Sequence, residues 1–465
     1  MYYFDSLLFA FLSVIEAGWS DISYIVSSLF IFQMLTELFI SGKNSKLSLA
    51  ELASYFGARD IKFEVEFFSK EFFTVSLHER FAASSIDDLG GTIKVADEKV
   101  KFSTQIVKEA FLQKNREGQV QIAKYIASSG LIDDMAKSAE KLFFGVSVYC
   151  AEKKLRPLTW QIQRAVGSTV KRELAAQGKK SKFMGFSKER RFAQLSHVEV
   201  LKKNLVENKG EVLLCIGAEE CWVAVTSAVH NPFEFQKRDI YKPNQRKIFA
   251  MPPRLARIMV NLSACSPGKI LLDPFCGVGT VLQEALLEKA AVVGVDVNPW
   301  CVKAANENLE WLAREYGLKV AEFRVIQGDV TMLAQKVGQE TVDCIVTEPD
   351  LGPALRQVPT GPYALKIIQK LKPLYFGLVR EAYRVLRDNG RLVLVTPCIV
   401  SRSGQAVMMP IGPELQKQGF KKIQPFSKEI FSEQTVQAEE LVEASSLVEV
   451  DERHKVGREI HIWQK

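Results

Sequence analysis

The sequence predicts an α/β protein in two parts. A doubly wound, mostly parallel sheet occupies the C-terminal half from about residue 263 onward, and a smaller α+β module precedes it. Three observations carry this reading. Strand-like apolar runs alternate with helical stretches from "KILLDPF" (269–275) to "RLVLVTP" (391–397), the order that builds parallel sheets. The charged, proline-containing "QKRDIYKPNQRKIFAMPPRL" (236–255) separates the two halves. Positive charge is also concentrated: residues 151–260 hold 22 Lys and Arg against 10 Asp and Glu, in a chain whose formal net charge is only +7.

Residues 1–33 form an apolar extension that carries Asp5, Glu16 and Asp21 but no Lys or Arg. It lacks the basic start of an export signal, and its acidic residues interrupt the apolar runs before they reach the ~20 residues of a membrane span. From Met34 to about 105 the pattern is that of a small α+β subdomain. A strand runs to Ser41, Ser48 and Glu51 form an S-x-x-E capping box for a helix, and Gly90-Gly91 turn into a strand. A second unit, 106–232, has a strand at "KLFFGVSVYC", a helix at "LTWQIQRAVGSTVKRELAAQG" stopped by Gly178, and a closing strand pair.

Basic residues in this unit, with Lys179, Lys180 and Lys182 together, are interleaved with Trp160, Phe183, Phe186 and Phe192. Charge and aromatic rings in one segment point to a nucleic-acid surface. Residues 233–262 read as linker and first helix of the second domain, with Pro252 or Pro253 in the helix's first turn. The eight cysteines are scattered, with no C-x-x-C pair and no match to the histidines, so neither a metal site nor a disulfide framework is suggested. A reducing cytoplasm is the simplest compartment.

The chemistry-bearing residues lie in domain 263–465. "KILLDPFCGVGT" is a strand ending in Asp273, then a loop with Gly277 and Gly279, then a helix from Thr280. Such a loop lets backbone approach a ligand at the strand's carboxyl end. Two further strands end in Asp296 and Asp329, and Asp296 is placed to accept from ribose hydroxyls. Three terminal carboxylates suit adenosine with a cationic tail. A dinucleotide is excluded because Asp273 would repel a pyrophosphate, and Leu282 replaces the third glycine of the dinucleotide fingerprint.

"DPFCGVGT" resembles the first motif of the S-adenosylmethionine-dependent amino-methyltransferases. "RDIYKPNQRKIFAMPPRLARIMVNL" and the tail "RHKVGREIHIWQK" resemble the linker, first helix and closing strand of RNA methylases that carry a THUMP RNA-binding domain, notably the tRNA guanine-N2 methyltransferases. The resemblance implies a C-terminal Rossmann-like methyltransferase domain behind a ferredoxin-like plus THUMP-like RNA-binding module. It implies S-adenosyl-L-methionine held by Asp273, Pro274, Phe275, Gly277, Gly279, Thr280, Asp296, Asp329 and Val330. The expected partner is RNA, tRNA above all, in the cytoplasm, with no membrane and no metal; the oligomeric state is left open, a monomer favoured.

In that family a strand ends in a D-P-P-Y or N-P-P-Y loop whose acceptors orient an exocyclic amine and whose aromatic ring stacks on the base. Here "VTEPDLGP" (346–353) stands in that place. Glu348 supplies the carboxylate and the Pro349 segment the carbonyl, while Asp350 or Leu351 occupies the aromatic position, so the stacking platform is missing. The leading expectation is methylation of an exocyclic amine of a tRNA base, guanine N2 favoured. A DNA amino-methyltransferase and a non-catalytic RNA-binding protein that keeps the fold are the rivals.

Overall fold

The computed structural model describes residues 34–138, 141–185, 192–246, 251–318, 323–433, 435–443, 446–450 and 455–465. The 1–33 extension and Phe186 therefore lie outside the described residues. Two sheets organise the rest. The first has eight strands, β1 (Leu35–Ser41), β2 (Phe63–Phe68), β3 (Phe72–Leu77), β4 (Thr92–Ser103), β5 (Leu142–Cys150), β6 (Ser181–Phe183), β7 (Glu211–Ile216) and β8 (Glu220–Val229), in the order β2-β3-β1-β4-β8-β7-β5-β6. β3 lies between β1 and β2, antiparallel to both, with helix Ser45–Gly57 crossing from β1 to β2. This is the split β-α-β of the ferredoxin-like arrangement, its second helix reduced to the 3-10 turn Ala83–Asp88.

The expected units 34–105 and 106–232 share this one sheet. β4 pairs along its length with β8, so the sheet is continuous across the two units, and the division at 105/106 falls within helix Thr104–Phe111. A strand with two edges can recruit partners from both sides, which the periodicity of a single strand does not encode.

The second sheet comprises β9 (Ile270–Asp273), β10 (Ala291–Asp296), β11 (Phe323–Gln327), β12 (Val342–Thr347), β13 (Leu386–Val400), β14 (Ala406–Met408), β15 (Lys421–Lys422), β16 (Leu447–Glu449) and β17 (Val456–Gln464). The order is β11-β10-β9-β12-β13-β17-β15, with β14 on β13 and β16 on β17. β9 to β13 are mutually parallel and β17 returns antiparallel to β13. The chain moves outward from β9 to β11, then restarts on β9's other side with β12. That reversal leaves a crevice at the carboxyl ends of β9 and β12, where ligands bind in open α/β sheets.

The S-x-x-E capping box is corrected by the structure. Helix Ser45–Gly57 starts one turn earlier, its N-cap Asn44 accepting from the Leu47 N–H. Glu51 is fully buried and instead accepts from the N–H groups of Gly90 (2.7 Å) and Gly91 (2.6 Å) and from the Asn261 amide (2.8 Å). The Gly90-Gly91 pair is a close approach as well as a turn, for a Cβ on Gly90 would collide with the Arg254 carbonyl oxygen.

Residues 233–262 form more than a linker. Helix Pro232–Ile240 and helix Pro253–Leu262 bring Arg238 and Arg257 onto Glu284, with Arg257 also on Glu288, in a buried ionic cluster. These charges tie the connecting segment to the second sheet's first helix. All eight cysteines are buried and unpaired, and no helix among the described residues is long and apolar enough to cross a membrane.

Candidate active site

The crevice is built from strand ends. Asp273 closes β9 at 3% exposure. Its Oδ1 accepts from the Phe275 N–H (3.0 Å) and from the Thr347 hydroxyl at the end of β12 (2.8 Å). The second bond ties the two strands across the reversal point. Burial pushes the Asp273 carboxyl up to about 7, against those hydrogen bonds and with the charges of Asp296 and Glu348 adding to the rise.

The following loop takes left-handed backbone at Gly277 (φ +52°) and Gly279 (φ +85°), which places the N-terminus of helix Thr280–Leu287 at the crevice. Asp296 at the end of β10 holds this loop. Its carboxylate accepts from the Gly277 N–H (2.9 Å) and the Asn298 N–H (2.8 Å), each leaving lone pairs open. Thr280 is buried, its hydroxyl accepting from Lys242 Nζ at 3.1 Å.

One cavity is lined by Asp273, Phe275, Gly277, Thr280 and Glu348, joined by Arg246 and Met251 from the connecting segment. Asp296 and Asp329 lie outside that lining, Asp296 at the end of β10 and Asp329 two residues past the end of β11. Asp329 is exposed and caps the turn Val330–Met332, and the Thr331 N–H and hydroxyl hold its carboxyl below the usual range. Pro274 is buried, and Val330, at 5% exposure, belongs to the apolar core with Val295 and Leu333.

The loop after β12 has a partner that sequence reasoning missed. Glu348 is gripped through both carboxylate oxygens by Arg458 of β17, Nε to Oε2 at 2.5 Å and Nη2 to Oε1 at 3.2 Å. Pro349 is buried. Asp350 is exposed, its Oδ1 accepts from the Gly352 N–H (2.9 Å), and its carbonyl accepts from the Tyr375 hydroxyl (3.1 Å). Gly352 has φ +100°, so this turn is shaped for glycine. Arg246 is the other residue the sequence pattern did not single out. Only its place in a charge-rich segment could have signalled it.

The basic module divides its candidates. Lys180 and Lys182 are exposed on or beside edge strand β6, whereas Lys179 donates to the Ala136 carbonyl at 2.5 Å. Phe183 packs on Phe144 and over Gly167, and Trp160 packs against the same core, so neither is a free platform. Phe192 is 56% exposed.

Residues 243–400 match the model of an RMKL-like methyltransferase domain. A second model, described as DNA methylase, matches residues 152–307 and stops short of β12 and Glu348. This chain is 36% identical over 159 residues to a tRNA (guanine(10)-N2)-dimethyltransferase of Methanothermobacter thermautotrophicus, covering 34% of this chain and 42% of that protein. It is 30% identical over 201 residues to the protein of the same description in Pyrococcus abyssi, covering 43% and 55%. The chain thus spans about half the length of the curated relatives it matches. Among solved structures, TrmN from Thermus thermophilus superposes with a TM-score of 0.51 at 17% identity, over 93% of this chain and 100% of that one. The two-part fold, Rossmann-like sheet and α+β module, is therefore shared with that solved structure.

Proposed function

We propose that this protein is an S-adenosylmethionine-dependent RNA methyltransferase acting on an exocyclic amine of a tRNA base, guanine N2 favoured. The observation that carries the reading is the crevice at the strand reversal. Buried Asp273, the glycine loop and Glu348 open into one cavity there. The similarity to tRNA guanine-N2 methyltransferases supports the substrate class.

The residues fit the cofactor. Asp273 adjoins the loop where a cationic tail is welcome, Asp296 keeps lone pairs for ribose hydroxyls, and the Arg246 side chain beside Gly277 suits a carboxylate. Bound there, S-adenosylmethionine would supply an electrophilic methyl group. Glu348 and the Pro349 carbonyl would accept the two amine hydrogens and so localise the nitrogen lone pair toward that methyl group. The exposed cations Lys180 and Lys182 would meet RNA phosphates, as cationic modules do.

Incubation with labelled S-adenosylmethionine and either total tRNA or duplex DNA, followed by nucleoside analysis, tests the reading. N2-methylguanosine is the expected product. Methylated adenine or cytosine in DNA would favour the DNA amino-methyltransferase, and salt-dependent tRNA binding without methyl transfer would favour a binding protein.

A further inference from the structure

Glu348 stands where a shorter acid or amide is usual for amine methylation, and a side chain with one more methylene has an extra torsion to fix. The structure fixes it from an unexpected direction. β12 and β17 do not pair with each other, because both flank β13, parallel on one side and antiparallel on the other. Arg458 sits opposite Pro397 of β13 and Glu449 of β16. Its guanidinium reaches over β13 to the strand end that bears Glu348 and takes both carboxylate oxygens. Nη1 lies 3.6 Å from Glu449, so the guanidinium is held from both sides.

The side chains of Arg458 and Glu348 are only 12% and 10% exposed, so the pair is little weakened by solvent. A planar fork on a carboxylate uses one lone pair of each oxygen and leaves the others for a second donor. Resting on the functional reading above, we infer that Arg458 is a positioning residue for methyl transfer. Its fork locks the Glu348 carboxylate in one orientation above β13, from which the remaining lone pairs receive the substrate amine. The closing strand of the sheet thereby takes part in the active site, although none of its side chains lines the cavity itself.

A double-mutant cycle separates this role from a structural one. Arg458→Gln in the active protein should lower kcat by roughly tenfold to a hundredfold, the scale of a misplaced acceptor. KM for tRNA and affinity for S-adenosylmethionine should stay within about twofold. Arg458→Lys, which offers a point charge in place of a fork, should recover part of the loss. In a Glu348→Ala background, Arg458→Gln should add no further loss, since its effect runs through Glu348. Additive losses, or an unchanged kcat in Arg458→Gln, would overturn the assignment while leaving the methyltransferase reading intact. A wild type that methylates no RNA would overturn both. If Arg458→Gln does not fold, Arg458→Lys in the same cycle carries the test.

Discussion

Asp273 shows how one buried side chain links stability to ligand preference. Its carboxyl is raised to about 7, mainly by burial, so the folded protein retains a proton there that the unfolded chain releases near pH ~4. The stability that Asp273 contributes is full below that lower value and is lost as pH rises through about 7. A cationic ligand prefers the ionised form, so its affinity should rise over the same window. Asp273→Asn keeps an oxygen for Thr347 and the Phe275 N–H, both of which donate to Oδ1. Thermal unfolding and calorimetry between about pH 5 and pH 8 should show the variant flatter than wild type in both respects. Asp350 poses a different single-residue question. It caps its own turn through Gly352 and is exposed, so Asp350→Tyr exchanges a cap for a ring. If the loop has merely lost its platform, the variant should bind a flipped purine more tightly by ~1 to 3 kcal/mol and methylate faster. A lower activity would mark Asp350 as reading the base edge.

Among the elements, the glycine loop and strand β6 carry separate duties and should fail separately. Asp296 accepts from the loop's Gly277 N–H, so it shapes the turn in addition to the ribose contact proposed for it. Asp296→Ala should weaken S-adenosylmethionine binding by ~1 to 3 kcal/mol in calorimetry, with tRNA binding unchanged. At β6, Lys179 is committed to the Ala136 carbonyl, which leaves Lys180 and Lys182 to face solvent. Charge reversal of those two should reduce the salt slope of tRNA binding by about two units, one for each phosphate no longer neutralised. Cofactor affinity should be the same as in wild type. An unchanged slope would place the RNA surface elsewhere on the module.

Across the molecule, helix Pro253–Leu262 packs against both helix Ser45–Gly57 of the N-terminal half and helix Thr280–Leu287 of the second sheet. Arg254 donates to the Gly90 carbonyl at 2.6 Å, and Asn261 donates to Glu51 on the opposite helix. Glu51→Ala would leave the Gly90 and Gly91 N–H groups and the Asn261 amide short of a buried acceptor. Each such group costs roughly 1 to 3 kcal/mol. The melting temperature should fall by several degrees at least, while cofactor affinity of the folded fraction is maintained. A melting temperature equal to wild type would show that water replaces the carboxylate at this joint.

Local patterning was enough to mark the half that forms the second sheet. Apolar runs bounded by turn residues marked β9 to β13, Gly277 and Gly279 marked the loop, and Asp273 and Asp296 end β9 and β10, while Asp329 lies two residues past the end of β11. Those signals are short-range, since a strand's burial and a glycine's positive φ leave their trace within a few residues. Other features emerged only when distant segments packed together. Ser48 and Glu51 satisfied a capping pattern, yet burial against Gly90, Gly91 and Asn261 claimed Glu51, and Asn44 took the cap. The two N-terminal units share one sheet because β4 pairs with β8. Arg458 lies 110 residues beyond Glu348 in the chain and meets it only because β13 carries both neighbours. Such pairings follow from strand order and register, which depend on which surfaces bury best together and leave no periodic mark on either partner.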